Sequence, residues 1–153
     1  MAGRRQPTNT QPTNPMPPNT AQDPFADIRQ AGTSAPTFDL ANAAIIDRLT
    51  QWQSLCSFTC ANAKGDSVDI KFTTLPQDMD AFVRDLYEFC PDLVDQGTGC
   101  VHEMVELMAE TGEELEPSMQ ELIAGVDFED ENYGLEILKR EIQNGKRVTL
   151  WWD

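Results

Sequence analysis

The sequence predicts an α+β domain, with a small and mostly antiparallel sheet of about three strands packed with helices and preceded by a tail. Two short segments, 57–61 and 67–73, alternate apolar and polar residues around a Lys64-Gly65-Asp66 turn, which is typical of a β-hairpin. Longer segments elsewhere carry apolar residues at helical spacing. The last residues alternate again and predict a final strand, whose place in the sheet the sequence does not define.

Residues 1–38 are predicted to be a disordered tail. Residues 6–15 come close to a repeat of Pro-Thr-Asn, and Pro17, Pro18 and Pro24 follow. A segment with so few apolar side chains cannot bury enough surface to offset the entropy lost on ordering the chain. The folded domain is therefore expected over residues 39–153.

The first two helices are predicted from their caps and apolar faces. Asp39 or Asn42 can cap a helix that ends near Ser54, and Pro76 suits the first turn of a second helix that Pro91 ends. The first face holds Ile45, Ile46, Leu49 and Trp52, and the second holds Met79, Phe82, Val83, Leu86 and Phe89.

The second half of the domain is predicted to be mostly helical. After a loop at 92–99, one helix turns Val101, Met104, Val105 and Met108 inward. A short helix around Met119–Ile123 follows, and a last helix begins after Asn132 and ends at Asn144-Gly145. The final strand alternates Val148, Leu150 and Trp152 with Thr149 and Trp151.

The chain is strongly acidic. Its formal net charge is −15, and the stretch from Asp85 to Glu136 holds sixteen Asp or Glu and no Lys or Arg. Such a field repels nucleic acid and anionic lipid and attracts basic protein surfaces. No apolar run approaches the roughly 20 residues that span a bilayer, and the first residues lack the apolar region of a secretory signal. We therefore expect a cytoplasmic protein with no membrane or nucleic-acid partner.

Several rare residues occur in an order that resembles a bacterial family, the domain-of-unknown-function 4253 family. The corresponding residues are Trp52, Leu75-Pro76, Tyr87-Glu88-Phe89-Cys90-Pro91-Asp92, Asp95-Gln96-Gly97-Thr98-Gly99 and the terminal Leu150-Trp151-Trp152-Asp153. The resemblance covers about residues 40–98 and 134–153 and implies a compact α+β domain, with no activity or catalytic residue to carry over. The resemblance implies that residues 99–133 are an insertion relative to the family pattern. We call them the acidic segment, since they hold eleven acidic residues and no Lys or Arg, and we expect partner specificity there.

Asp92, Asp95 and Asp153 are candidate carboxylates for chemistry. If the final strand ends beside the loop, they could gather near one point and, with His102, hold a divalent ion for a metal-assisted hydrolase. The favoured interpretation is that Asp92 and Asp95 accept hydrogen bonds from loop amides, as turn aspartates commonly do.

Other catalytic patterns are incomplete. Gly97-Thr98-Gly99 lacks the preceding strand and the Lys of a phosphate loop, and a positive-φ turn explains it better. Cys90 follows an apolar helix face beside acidic residues, which raise a thiol pKa, so it is predicted to be a core residue. The spacing of Cys56, Cys60, Cys90 and Cys100 matches no zinc module. No cofactor is predicted.

Trp151 and Trp152 must point to opposite faces of the final strand. One can enter the core, which leaves the other as an anchor for a partner. The leading hypothesis is a non-enzymatic, immunity-type or inhibitory interaction domain that covers a basic surface, such as that of a nuclease toxin. Its predicted binding residues are Asp92, Asp95, Trp151, Trp152 and Asp153, and the metal-assisted hydrolase is the alternative.

Overall fold

A computed structural model describes residues 23–153, so the predicted tail up to residue 22 lies outside the described residues. The α+β class is confirmed. The helices are α1 (Ala26–Ala31), α2 (Asn42–Trp52), α3 (Met79–Phe89), α4 (Asp92–Asp95), α5 (Val101–Thr111), α6 (Pro117–Ile123) and α7 (Tyr133–Gly145). Short 3-10 turns occur at Pro36–Phe38 and Thr98–Cys100, and the strands are β1 (Ser57–Ala61), β2 (Ser67–Thr74) and β3 (Arg147–Trp151).

The sheet is antiparallel with the order β1-β2-β3. The predicted hairpin forms β1 and β2, and the strand that the sequence could not place pairs with β2, so that Ile70 lies between Cys60 and Val148. Alternate residues of a strand share one face of the sheet. Most apolar residues of the three strands therefore lie on one face, which the helices cover. Its buried side chains are Val68, Ile70, Phe72, Val148 and Leu150.

Trp52 lies at the centre of the helical layer. Its ring packs edge-on against Phe82 and Phe89, with centroid distances of 5.0 Å and 5.5 Å. The indole N–H donates to Asp85 Oδ2 at 2.7 Å, and Arg48 donates to the other oxygen of the same carboxylate at 2.7 Å. The buried indole therefore has its polar partner, and Asp85 ties α3 to α2.

Part of the predicted tail packs on the domain. Phe25 and Ile28 are buried in the main core, and Thr33 is buried as well. The Asn42 side chain, predicted as a helix cap, instead donates to the carbonyls of Ile28 and Thr33 at 3.0 Å and 2.9 Å. The predicted start of the folded domain, after residue 38, is therefore too late. A few apolar residues between prolines are enough to pack on the domain when other elements form the rest of their surroundings.

Candidate partner-binding groove

The candidate carboxylate Asp92 is buried beside the end of the chain. Asp92 is the first residue of α4, a short helix where the sequence predicts a loop. The residue is 4% exposed. Oδ2 accepts the main-chain N–H of Asp153 at 2.8 Å, and Oδ1 accepts from Gln96 Nε2 at 2.9 Å. Both oxygens therefore hold structural hydrogen bonds, and the final residue meets Asp92 through its main chain.

The other predicted metal ligands have separate partners. Asp95 accepts a hydrogen bond from the Tyr87 hydroxyl at 2.7 Å, which raises the pKa of Tyr87. His102 stacks on Phe128 at a centroid distance of 4.8 Å and faces Glu106, with Nε2 3.4 Å from Oε1. Within residues 23–153, no group of three or more His, Cys, Asp or Glu side chains is placed to hold a metal ion. The metal-assisted hydrolase stays a prediction of the sequence.

Cys90 and the glycine turn belong to the scaffold. The Cys90 thiol is buried, contacts the Trp151 carbonyl at 3.0 Å, and has its pKa raised to about 12 by burial. The expectation of a positive-φ turn is wrong, since Gly97 has a φ of −131°. A Cβ at Gly97 would lie 2.3 Å from the Leu93 carbonyl oxygen, and one at Gly99 would lie 2.5 Å from that of Val94. The glycines are required for this close approach to α4.

The paired tryptophans point to opposite faces of the sheet. Trp152 is 4% exposed, and its indole N–H donates to the Phe89 carbonyl at 3.0 Å. Its ring also packs edge-on against Phe89, with a centroid distance of 5.3 Å. Trp151 is half-buried and lines a groove. Trp152 is therefore a core residue, and Trp151 is the one available to another molecule.

The groove has a volume of about 780 Å³ and separates β3 from the helices of the acidic segment. Its walls come from α4, α5, α6 and α7 and from β3 itself, and its lining is mostly apolar. The apolar lining includes Leu93, Met104, Met119, Leu122, Val148 and Trp151. A concave apolar surface of this size is typical of a binding site.

The acidic segment surrounds the groove with charge and leaves apolar side chains uncovered. All eleven of its acidic residues are exposed. On α5, only Val101 is buried, while Met104 is 37% exposed and Leu107 is 60% exposed. The expectation that Met104 turns inward is therefore only partly met, because among the described residues α5 packs mainly on the 3-10 turn that precedes it, and Met104 lines the groove. Leu107 lies one helical turn from both Glu103 and Glu110.

Glu141 adds a carboxylate on the groove side of α7. Its side chain reaches solvent, yet the surrounding protein partly desolvates it and raises its pKa. Sequence reasoning missed both Leu107 and Glu141 as site residues. Leu107 carried a signal, because it is apolar and falls outside the predicted inner face of its helix. Glu141 carried none, since its position depends on where β3 lies.

A family model described as Domain of unknown function (DUF4253) matches residues 20–153. The chain belongs to this family. The DUF4253 match begins before Phe25 and runs through the acidic segment, so it includes both the packed N-terminal residues and the groove. No curated protein and no solved structure matches the chain. Across residues 23–153, no helix is both long and apolar enough to span a bilayer.

Proposed function

We propose that this domain is a non-enzymatic interaction module that binds a basic protein partner at the groove between β3 and the acidic segment. The observation that carries the proposal is Leu107, which is 60% exposed on α5, one helical turn after the groove residue Met104. Met104 is itself 37% exposed. A cluster of exposed apolar side chains next to a concave surface is a common mark of protein interaction.

The apolar part of the site supplies affinity. Full burial of a leucine side chain contributes about 1.5–3 kcal/mol. Leu107 and Met104 gain part of this when another molecule covers them, because both side chains are exposed in the described part of the chain. Trp151, at the other side of the groove, adds a half-buried aromatic surface of the kind that anchors interfaces.

The charge of the site supplies speed and selectivity. The net charge of −15 and the eleven exposed carboxylates of the acidic segment favour a basic surface. Opposite charges accelerate diffusional encounter and suppress acidic competitors. An immunity-type or inhibitory protein that covers the basic surface of a nuclease toxin is a concrete form of this function.

A pair of leucine variants tests the proposal. Leu107→Asp places a charge at the proposed contact, and Leu55→Asp is a matched control, because Leu55 is 54% exposed and lies outside the groove. Partner proteins that the wild-type chain captures at low salt are identified and purified. Each partner is then titrated against the wild type, Leu107→Asp and Leu55→Asp.

We expect Leu107→Asp to weaken binding by about 10-fold to 100-fold, from the burial energy of one leucine, and Leu55→Asp to bind like the wild type. Binding should also weaken as salt rises, because salt screens the charges. Equal binding by both variants, binding that ignores salt, or the lack of any captured partner would contradict the proposed function.

A further inference from the structure

Within the part of the chain that the structure describes, β3 forms one edge of the sheet, because β2 alone pairs with it. The main-chain N–H of Phe72 donates to the Lys146 carbonyl at 2.8 Å, and that of Trp152 donates to the Asp66 carbonyl at 3.1 Å. Residues whose main chain faces a given neighbour alternate along an antiparallel strand. The main chains of the intervening residues Arg147, Thr149 and Trp151 therefore face away from β2.

Most of these outward-facing groups lack a partner among the described residues. The Trp151 carbonyl accepts a hydrogen bond from the Cys90 thiol. Within residues 23–153, the main-chain N–H and C=O of Arg147 and Thr149 have no hydrogen-bond partner. Arg147, Thr149 and Trp151 also line the groove. An exposed strand edge with unpaired groups is a template for pairing with another strand.

We propose, building on the proposed function, that the partner binds through an extended segment that adds to β3 as a further strand, with apolar side chains in the groove and Lys or Arg toward the acidic segment. Strand addition of this kind takes affinity from main-chain hydrogen bonds and specificity from pockets for alternate side chains. The unpaired edge and the apolar groove lie side by side, as that mode of binding requires.

The length and the charges of the edge define the segment. β3 has five residues. At about 3.3 Å per residue, it offers an edge of about 16 Å. Glu141 lines the groove from α7, on the helix-covered side of the sheet, whereas Arg147 lines it from the opposite face, where it pairs with Lys71. Alternate side chains of an added strand point to opposite faces, so apolar and basic residues should share the positions that face the helices, and basic residues should be absent from the positions beside Arg147.

The probe is a library of random heptapeptides displayed on phage and selected on the full-length chain at low salt. Enriched peptides are synthesised and titrated against the wild type, Thr149→Pro and Thr149→Val. Proline removes the N–H that faces the groove and is tolerated at strand edges, whereas valine keeps the N–H and the β-branched shape. Each peptide is also made in two forms, N-methylated at one or the other set of alternate amides.

We expect enriched peptides whose apolar and basic residues fall on one set of alternate positions, and about tenfold weaker binding by Thr149→Pro, with little change for Thr149→Val. One N-methylated form should bind at least about tenfold more weakly than the other, because only one set of amides can face β3. If Thr149→Pro fails to fold, the two N-methylated forms still decide the question.

Failure to enrich any peptide, or equal binding by the two N-methylated forms, would overturn strand addition. If peptides or the purified partner bind, lose affinity with Leu107→Asp and ignore Thr149→Pro, the proposed function stands and strand addition is wrong. If the wild type forms a dimer and Thr149→Pro dissociates it, the edge of β3 pairs with a second copy of the chain. That result would also overturn strand addition by a partner. Absence of both peptide and protein binding would remove the proposed function as well.

Discussion

Gly134 offers a sharp test of how the domain is packed, because α7 approaches the glycine turn at this residue. A Cβ added there would lie 2.8 Å from Val94 Cγ1 and 3.0 Å from both Cα and N of Gly99. The Val94 methyl can move, but the Gly99 main chain is held, since the adjacent Thr98 hydroxyl donates to the Gly134 carbonyl at 2.7 Å. Gly134→Ala should therefore destabilise the protein.

The expected loss follows from two opposing effects. Overpacking costs about 1–3 kcal/mol, and alanine regains up to about 1 kcal/mol of helix propensity, less in the first turn. The net change in the free energy of unfolding is a loss of about 1–2 kcal/mol. With an m-value of about 2 kcal/mol/M, the urea midpoint should fall by about 0.5–1 M.

The assay is urea unfolding followed by tryptophan fluorescence, since Trp52 and Trp152 are buried. Gly65→Ala is the matched control, because no atom lies within 4 Å of a Cβ at Gly65 and its φ is not positive. Its midpoint should stay within about 0.2 M of the wild type. An unchanged midpoint for Gly134→Ala, or an equal loss in both variants, would refute the reasoning.

Two further predictions concern the core near the end of the chain. Trp152→Ala should lower the free energy of unfolding by about 3–5 kcal/mol, because it leaves a cavity and removes the donor to the Phe89 carbonyl. Trp152→Phe should lower the free energy of unfolding by less. Urea titration measures both variants, and equal losses would contradict the role of ring packing. In native protein at pH 8, iodoacetamide should modify the exposed Cys100 and leave Cys90 intact until urea is added, because burial keeps the Cys90 thiol protonated. Mass spectrometry of peptides measures the modification of each cysteine, and rapid modification of Cys90 in the native protein would refute its burial.

Local patterns predicted the elements whose neighbours in sequence are also their neighbours in space. The β1-β2 hairpin follows from alternation around Gly65, and every residue of the predicted α3 face is buried. The start of α3 was placed too early, since Asp78 is its cap and accepts the N–H of Ala81 at 3.0 Å. Local chemistry thus predicts an element well and its ends less well.

Features made by distant residues could not be predicted in the same way. The alternation of Trp151 and Trp152 indicated opposite faces, but Phe89 decides that Trp152 is the buried one. Phe25 gave no periodic signal, because its surroundings come from elements later in the chain. The groove depends on β3 forming an edge beside the acidic segment, and neither stretch of sequence contains that information alone.

The central position of β2 has a consequence for how the chain reaches its native state. Lys71 pairs with Arg147 and Ser67 pairs with Trp151, so most of the domain must be synthesised before β2 gains its second neighbour. Contacts between such distant positions slow folding, because a long loop must close first. Until β3 has left the ribosome, one side of β2 stays open to wrong pairing, and a nascent chain stalled before Arg147 should be prone to aggregate.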